Sequence, residues 1–104
     1  MKFMSFEQIN AWQKSKLLVV GIYKILKNCN DYSFKDQLQR AAVSVMNNIA
    51  EGYERNGNKE FRNFLYLSKG SWAEVRSILS LGIEIGLFEE KEAAELSKLA
   101  IEMS

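Results

Sequence analysis

The chain has 104 residues, room for one domain with one small hydrophobic core, and its 47% hydrophobic and 26% charged residues are ordinary for a soluble globular protein. Net charge is +1, and there is no histidine, no proline and only one cysteine. These absences exclude Ser-His-Asp and Cys-His nucleophiles, imidazole zinc sites, multi-cysteine metal sites and intrachain disulfides.

Lack of proline suits long unbroken helices, and four are predicted, at about 6–28, 34–55, 59–85 and 90–103. In the first, Ser5-Phe6-Glu7-Gln8 has the form of a capping box. Ala11, Ser15, Leu18, Ile22, Ile25 and Cys29 follow at alternating spacings of 4 and 3, with Trp12, Val19, Tyr23 and Leu26 as a second apolar row. A face this wide implies more than one neighbour. After a turn at 28–32, Ser33 is the expected cap of the second helix, whose core face is Leu38, Ala41, Val45 and Ile49, with Ala42 and Met46 beside it. Small residues there (Ala41, Ala42, Ser44, Ala50) allow another helix to approach closely. Asn56-Gly57 is the expected stop, since either residue can take positive φ.

Asn58 is the expected cap of the third helix, where Phe61, Leu65, Ser68, Trp72, Val75, Leu79 and Gly82 form a heptad-like row and Phe64, Ser71, Ile78 and Ile85 adjoin it. Gly86 is the expected stop. The fourth helix places Leu96, Leu99, Ala100 and Met103 on one side and Glu89, Glu90 and Glu92 at its start, where the helix dipole favours anions. Short connections imply antiparallel neighbours, so the fold is read as all-α: an up-down-up-down antiparallel four-helix bundle in a single domain, 1–104.

Charge is unevenly spread. Residues 1–82 carry 12 Lys/Arg against 7 Asp/Glu, net +5, and residues 83–104 carry 2 against 6, net −4. On the third helix Arg62, Lys69 and Arg76 recur every seven residues, with Lys59 and Tyr66 joining them and Glu60 and Glu74 on another side. At about 1.5 Å per residue the three cations cover about 21 Å, a row that could track a phosphate backbone and stack a base. A solvated face, or a self-association face meeting another copy's acids, explains the same row. The second helix has a polar row, Arg40, Ser44, Asn47, Glu51 and Arg55, with Asn48 beside it. Glu51 and Arg55 are one turn apart and can pair. This row is read as an interface of directed polar contacts, a nucleic-acid contact through Arg40 and Arg55, or a hydrated outer face.

Di-metal bundle sites need Glu-x-x-His, which this chain lacks, and no loop is organised for a hard cation. No cofactor, metal or catalytic residue is expected. Cys29 is read as a packing residue, and Trp12 and Trp72 as core or interface anchors. The longest apolar stretch, 17–26, contains Lys24 and is too short to span a bilayer, so no membrane association and a cytoplasmic location are expected.

Several segments resemble one family. Phe6-Glu7 and Ala11-Trp12-Gln13-Lys14 resemble the opening of the bacterial four-helix-bundle proteins encoded in intervening sequences of large-subunit ribosomal RNA genes. Residues 37–45, from Gln37-Leu38-Gln39-Arg40 to Val45, and Asn48-Ile49-Ala50-Glu51-Gly52-Tyr53 resemble that family's second helix. Lys59-Glu60-Phe61, Phe64-Leu65 and Gly70-Ser71-Trp72-Ala73-Glu74 resemble its third, so the likeness covers about residues 6–88. The resemblance implies a fold similar to the accessory protein of diversity-generating retroelements, a homopentamer that works with a reverse transcriptase and RNA. The implied partners are therefore further copies of the chain (a pentamer favoured), RNA or DNA, and a reverse transcriptase or other protein. Met46 stands where many relatives have proline, so no kink is demanded in the second helix. The fourth helix is shorter than is typical and lacks the basic tail often seen there.

The expectation is a non-enzymatic homo-oligomer that binds RNA or DNA through Arg40, Arg55, Lys59, Arg62, Tyr66, Lys69 and Arg76, with Trp12, Asn48 and Glu51 at the oligomer interface. The alternative is a protein-interaction scaffold that docks an acidic partner.

Overall fold

The computed structural model describes residues 5–55 and 57–103. A 3-10 turn, Phe6–Gln8, precedes four α-helices: α1 Asn10–Ile25, α2 Tyr32–Glu54, α3 Asn58–Glu84 and α4 Glu90–Met103. The described residues contain no strand. The bundle is elongated, 47 × 20 × 19 Å, because α3 alone, at 27 residues, is about 40 Å long. Consecutive helices run antiparallel. Helices α1 and α3 each pack on both α2 and α4, while the diagonal pairs stay apart. The α2–α3 seam is the most extensive of these contacts.

The predicted first helix is divided. Ile9 is extended (φ −75°, ψ 127°) and separates the 3-10 turn from α1. The Ser5 N–H donates to Gln8 Oε1 at 3.0 Å, as a capping box requires, but the box closes the short turn rather than the long helix. This turn folds back so that the Phe6 ring meets Trp12 edge-on at 5.3 Å, while Gln13 Nε2 donates to the Glu7 carbonyl at 3.0 Å. At its other end α1 stops at Ile25, so Cys29 sits past the helix, half-buried against the core.

Two expected caps shift by one or two residues. Asp31, not Ser33, caps α2, its Oδ1 accepting from the Phe34 N–H at 3.1 Å. Gly57 is the cap residue of α3 and Asn58 its first helical residue. Of the two residues able to take positive φ at this stop, Gly57 is extended (φ −153°) and Asn56 lies outside the described residues. Gly86 behaves as expected. Its φ is +77°, the Gly86 N–H donates to Ile83 O (3.1 Å) and the Leu87 N–H to Gly82 O (2.9 Å), the paired bonds of a Schellman stop. Helix α2 runs unbroken through Met46.

The core follows the predicted rows. Leu18, Ile22 and Leu26 meet Leu38, Ala42 and Val45, then Val75 and Leu79, and α4 adds Ala93 and Leu96. The side chains of Ala100 and Met103 lie outside the described set. Two expected core residues face outward instead: Leu65 is 39% exposed and Ile85 52%. Glycines and small residues set the helix separations. A Cβ on Gly52 would strike Phe64, one on Gly82 would strike Phe88 and Phe34, and one on Gly21 would strike Leu96.

Three serines enter the core with their hydroxyls satisfied. Ser15 donates to Ala11 O (2.7 Å) within α1, Ser68 to Val45 O (2.9 Å) across the α2–α3 seam, and Ser71 to Ser44 Oγ (2.9 Å) across the same seam. Among the described residues no buried side-chain polar atom lacks a partner. A buried hydroxyl without one costs about 1–3 kcal/mol, so the Ser68 and Ser71 bonds fix how α2 and α3 slide against each other.

Candidate nucleic-acid interface

The seven predicted contact residues fall into separate places. Arg62, Tyr66 and Lys69 come together. They border one hollow of about 320 Å³ between the first turns of α1 and the first half of α3. Its apolar lining is Ala11 of α1, Ile49 of α2, and Leu65 and Trp72 of α3, with Ser68 beside them. The arrangement follows from helix geometry. Leu65 is three residues after Arg62 and four before Lys69, and Tyr66 lies four after Arg62 and three before Lys69. Each cation is therefore one turn from both an apolar and an aromatic side chain.

Arg62, Lys69, Lys59 and Arg76 are all exposed, and none forms an ion pair among the described residues. Arg76 continues the row by two turns but does not border the hollow, and Lys59 projects from the first turn of α3.

The two cations of α2 are different. Arg40 Nε lies 2.9 Å from Asp36 Oδ2, and Arg55 Nη2 lies 2.9 Å from Glu51 Oε1. Both pairs are well exposed, worth at most about 1 kcal/mol each, yet each cancels a positive charge where it sits. The Arg55 guanidinium also stacks over the Phe64 ring, 5.2 Å from its centroid. Arg40 lines a different groove, over the α2–α3 seam with Gln37, Ser44, Ser71 and Glu74. The structure thus gathers the α3 cations into one unneutralised row and leaves those of α2 outside it.

The expected interface residues also have local contacts. Asn48 is half-buried, and its Nδ2 donates to Ser44 O (2.8 Å) and Ser44 Oγ (3.0 Å). Glu51 holds Arg55. Trp12 is half-buried beneath Phe6, with the Lys16 ammonium 5.6 Å from its ring centroid. A more exposed apolar surface lies on α1, where Leu17 (63% exposed), Val20 (42%) and Tyr23 (48%) recur every three residues. Periodicity pointed to Tyr23 as part of a second core row and gave no role to Leu17 or Val20. The signal was present, since an apolar face this broad exceeds what two flanking helices can cover.

Among the described residues no helix is long and apolar enough to cross a membrane.

Residues 7–104 match the family described as 23S rRNA-intervening sequence protein. The fold is similar to that of a solved protein of unknown function from the S23 ribosomal protein family of Bacteroides thetaiotaomicron. The TM-score is 0.82 at 22% identity, over 89% of this chain and 90% of that one, a likeness of fold. No curated protein matches.

Proposed function

The chain belongs to the 23S rRNA-intervening sequence protein family, and from that premise we propose that it is a non-enzymatic, self-associating helical bundle that binds nucleic acid through α3. One observation carries the reading: Arg62 and Lys69 flank Tyr66 at the mouth of an apolar hollow, and no carboxylate among the described residues pairs with either cation. Unpaired cations at fixed spacing attract a polyanion, and an exposed ring between them offers a stacking surface. Lys59 and Arg76 extend the row at its two ends.

Self-association multiplies this modest charge. In a closed ring each patch recurs once per copy, so a chain of net charge +1 presents several cation rows at once. The apolar ridge Leu17–Val20–Tyr23 supports assembly, because outward-facing apolar side chains at helical spacing mark surfaces that become covered. A pentamer is the assembly we favour, in a cytoplasmic setting.

The test is binding of a fluorescent oligonucleotide to protein of known oligomeric mass. Binding that falls steeply with salt and is weakened in the Arg62→Ala/Lys69→Ala double variant supports the reading. Absence of binding at low salt, with nuclease-resistant capture of an acidic protein, would replace it with the scaffold reading.

A further inference from the structure

We propose that the α3 site is selective for single-stranded nucleic acid and seats one unpaired base in the hollow bordered by Arg62, Tyr66 and Lys69. This rests on the nucleic-acid reading above and adds to it the strand state of the ligand and the part of the ligand that is buried.

The hollow holds about 320 Å³. That is near the lower end of small-ligand sites, which run from about 300 to 1,000 Å³, so it accepts a single ring system. An α-helix about 10–12 Å across with its side chains does not enter it. The floor is apolar: Leu65 is 39% exposed, and Ile49 and Trp72 are all but buried beneath the opening. Tyr66, 66% exposed, stands at the rim with its ring free to cover an inserted base. Arg62 and Lys69 stand on the same rim, about 10.5 Å apart along the helix axis at 1.5 Å rise per residue. An apolar floor under a cationic rim matches a base carried on a phosphate backbone. It suits neither half alone, since a free anion gains nothing from Leu65 and a neutral apolar ligand gains nothing from the cations.

A duplex cannot use this site fully. Its bases are paired and stacked inside, and extruding one costs a few kcal/mol. A single strand carries its bases unpaired and can straighten along the row from Arg62 to Arg76. Duplex binding is thus confined to phosphate contacts, while a single strand has those contacts and the seated base.

The experiment compares three probes of equal length on the intact protein at one salt concentration: a single strand, its duplex, and an abasic single strand of deoxyribose phosphates. The expected result is single-strand affinity at least about tenfold above both others, the scale of one base stacked on an aromatic side chain. Tyr66→Ala should remove most of that advantage, and Tyr66→Phe should keep it. Equal affinity for all three probes would overturn the seated base while leaving the phosphate row intact. Failure of every probe at low salt would overturn both. The abasic comparison uses the unmodified protein, so it decides the matter even if a variant fails to fold.

Discussion

The Ser71 hydroxyl of α3 donates to the Ser44 hydroxyl of α2 at 2.9 Å, tying together the two helices that share the largest contact in the bundle. Ser44 also accepts from Asn48 Nδ2, so three polar side chains form one chain along the seam. Ser71→Ala removes the link and leaves Ser44 with one fewer partner. The expected cost is about 1 kcal/mol, read as a fall of about 4–8 °C in the thermal midpoint. An unchanged midpoint would mean that Ser44 finds water instead.

Gly82 tests the packing at the other end. The Phe34 and Phe88 rings meet there at 6.1 Å, and a Cβ on Gly82 would run into both. Gly82→Ala is therefore expected to destabilise the bundle by about 1–3 kcal/mol by overpacking, outweighing the better helix propensity of alanine. Denaturant unfolding measures this directly. Stabilisation would show that the rings have room to move.

Much of this bundle was legible because each helix repeats its signal over several turns. The row from Ser68 through Trp72, Val75 and Leu79 to Gly82 is buried as its spacing predicts. Single-residue choices were less legible. Asp31 and Ser33 are both good caps, and the choice fell to Asp31, whose carboxylate reaches the Phe34 N–H as that ring enters the core. The division at Ile9 depends on Phe6 reaching Trp12, a contact that no local spacing announces. At the candidate site the cation row was visible in α3 alone. The hollow was not, because it is assembled from α1, α2 and α3, and because Leu65 satisfies the core spacing while lying at the edge of the stripe.

Assembly has its own test. Leu17 and Val20 are exposed and one turn apart on α1. The double variant Leu17→Asn/Val20→Asn should reduce the mass measured by light scattering toward that of a monomer. The fold itself should be changed by no more than about 0.5 kcal/mol per site, as for ordinary surface substitutions. An unchanged multimer would place the interface elsewhere.

The ion pair of α2 makes a contrasting prediction. Asp36 neutralises Arg40, and Arg40 lies in a groove apart from the α3 row. Arg40→Ala is therefore expected to weaken oligonucleotide binding by less than about fivefold, in keeping with the small energies of exposed pairs. Titration of the oligonucleotide checks this, and a loss as large as that of Arg62→Ala would bring Arg40 into the site.

Contact of Arg62 and Lys69 with phosphate is read from the salt dependence of single-strand binding by protein of known oligomeric mass. Each phosphate contact contributes about 0.7 to the slope of log affinity against log salt for a single strand. Replacing Arg62 and Lys69 by Ala should therefore lower the magnitude of that slope by about 1.4 per engaged protomer. A slope identical in the native protein and the double variant would show that neither side chain contacts phosphate.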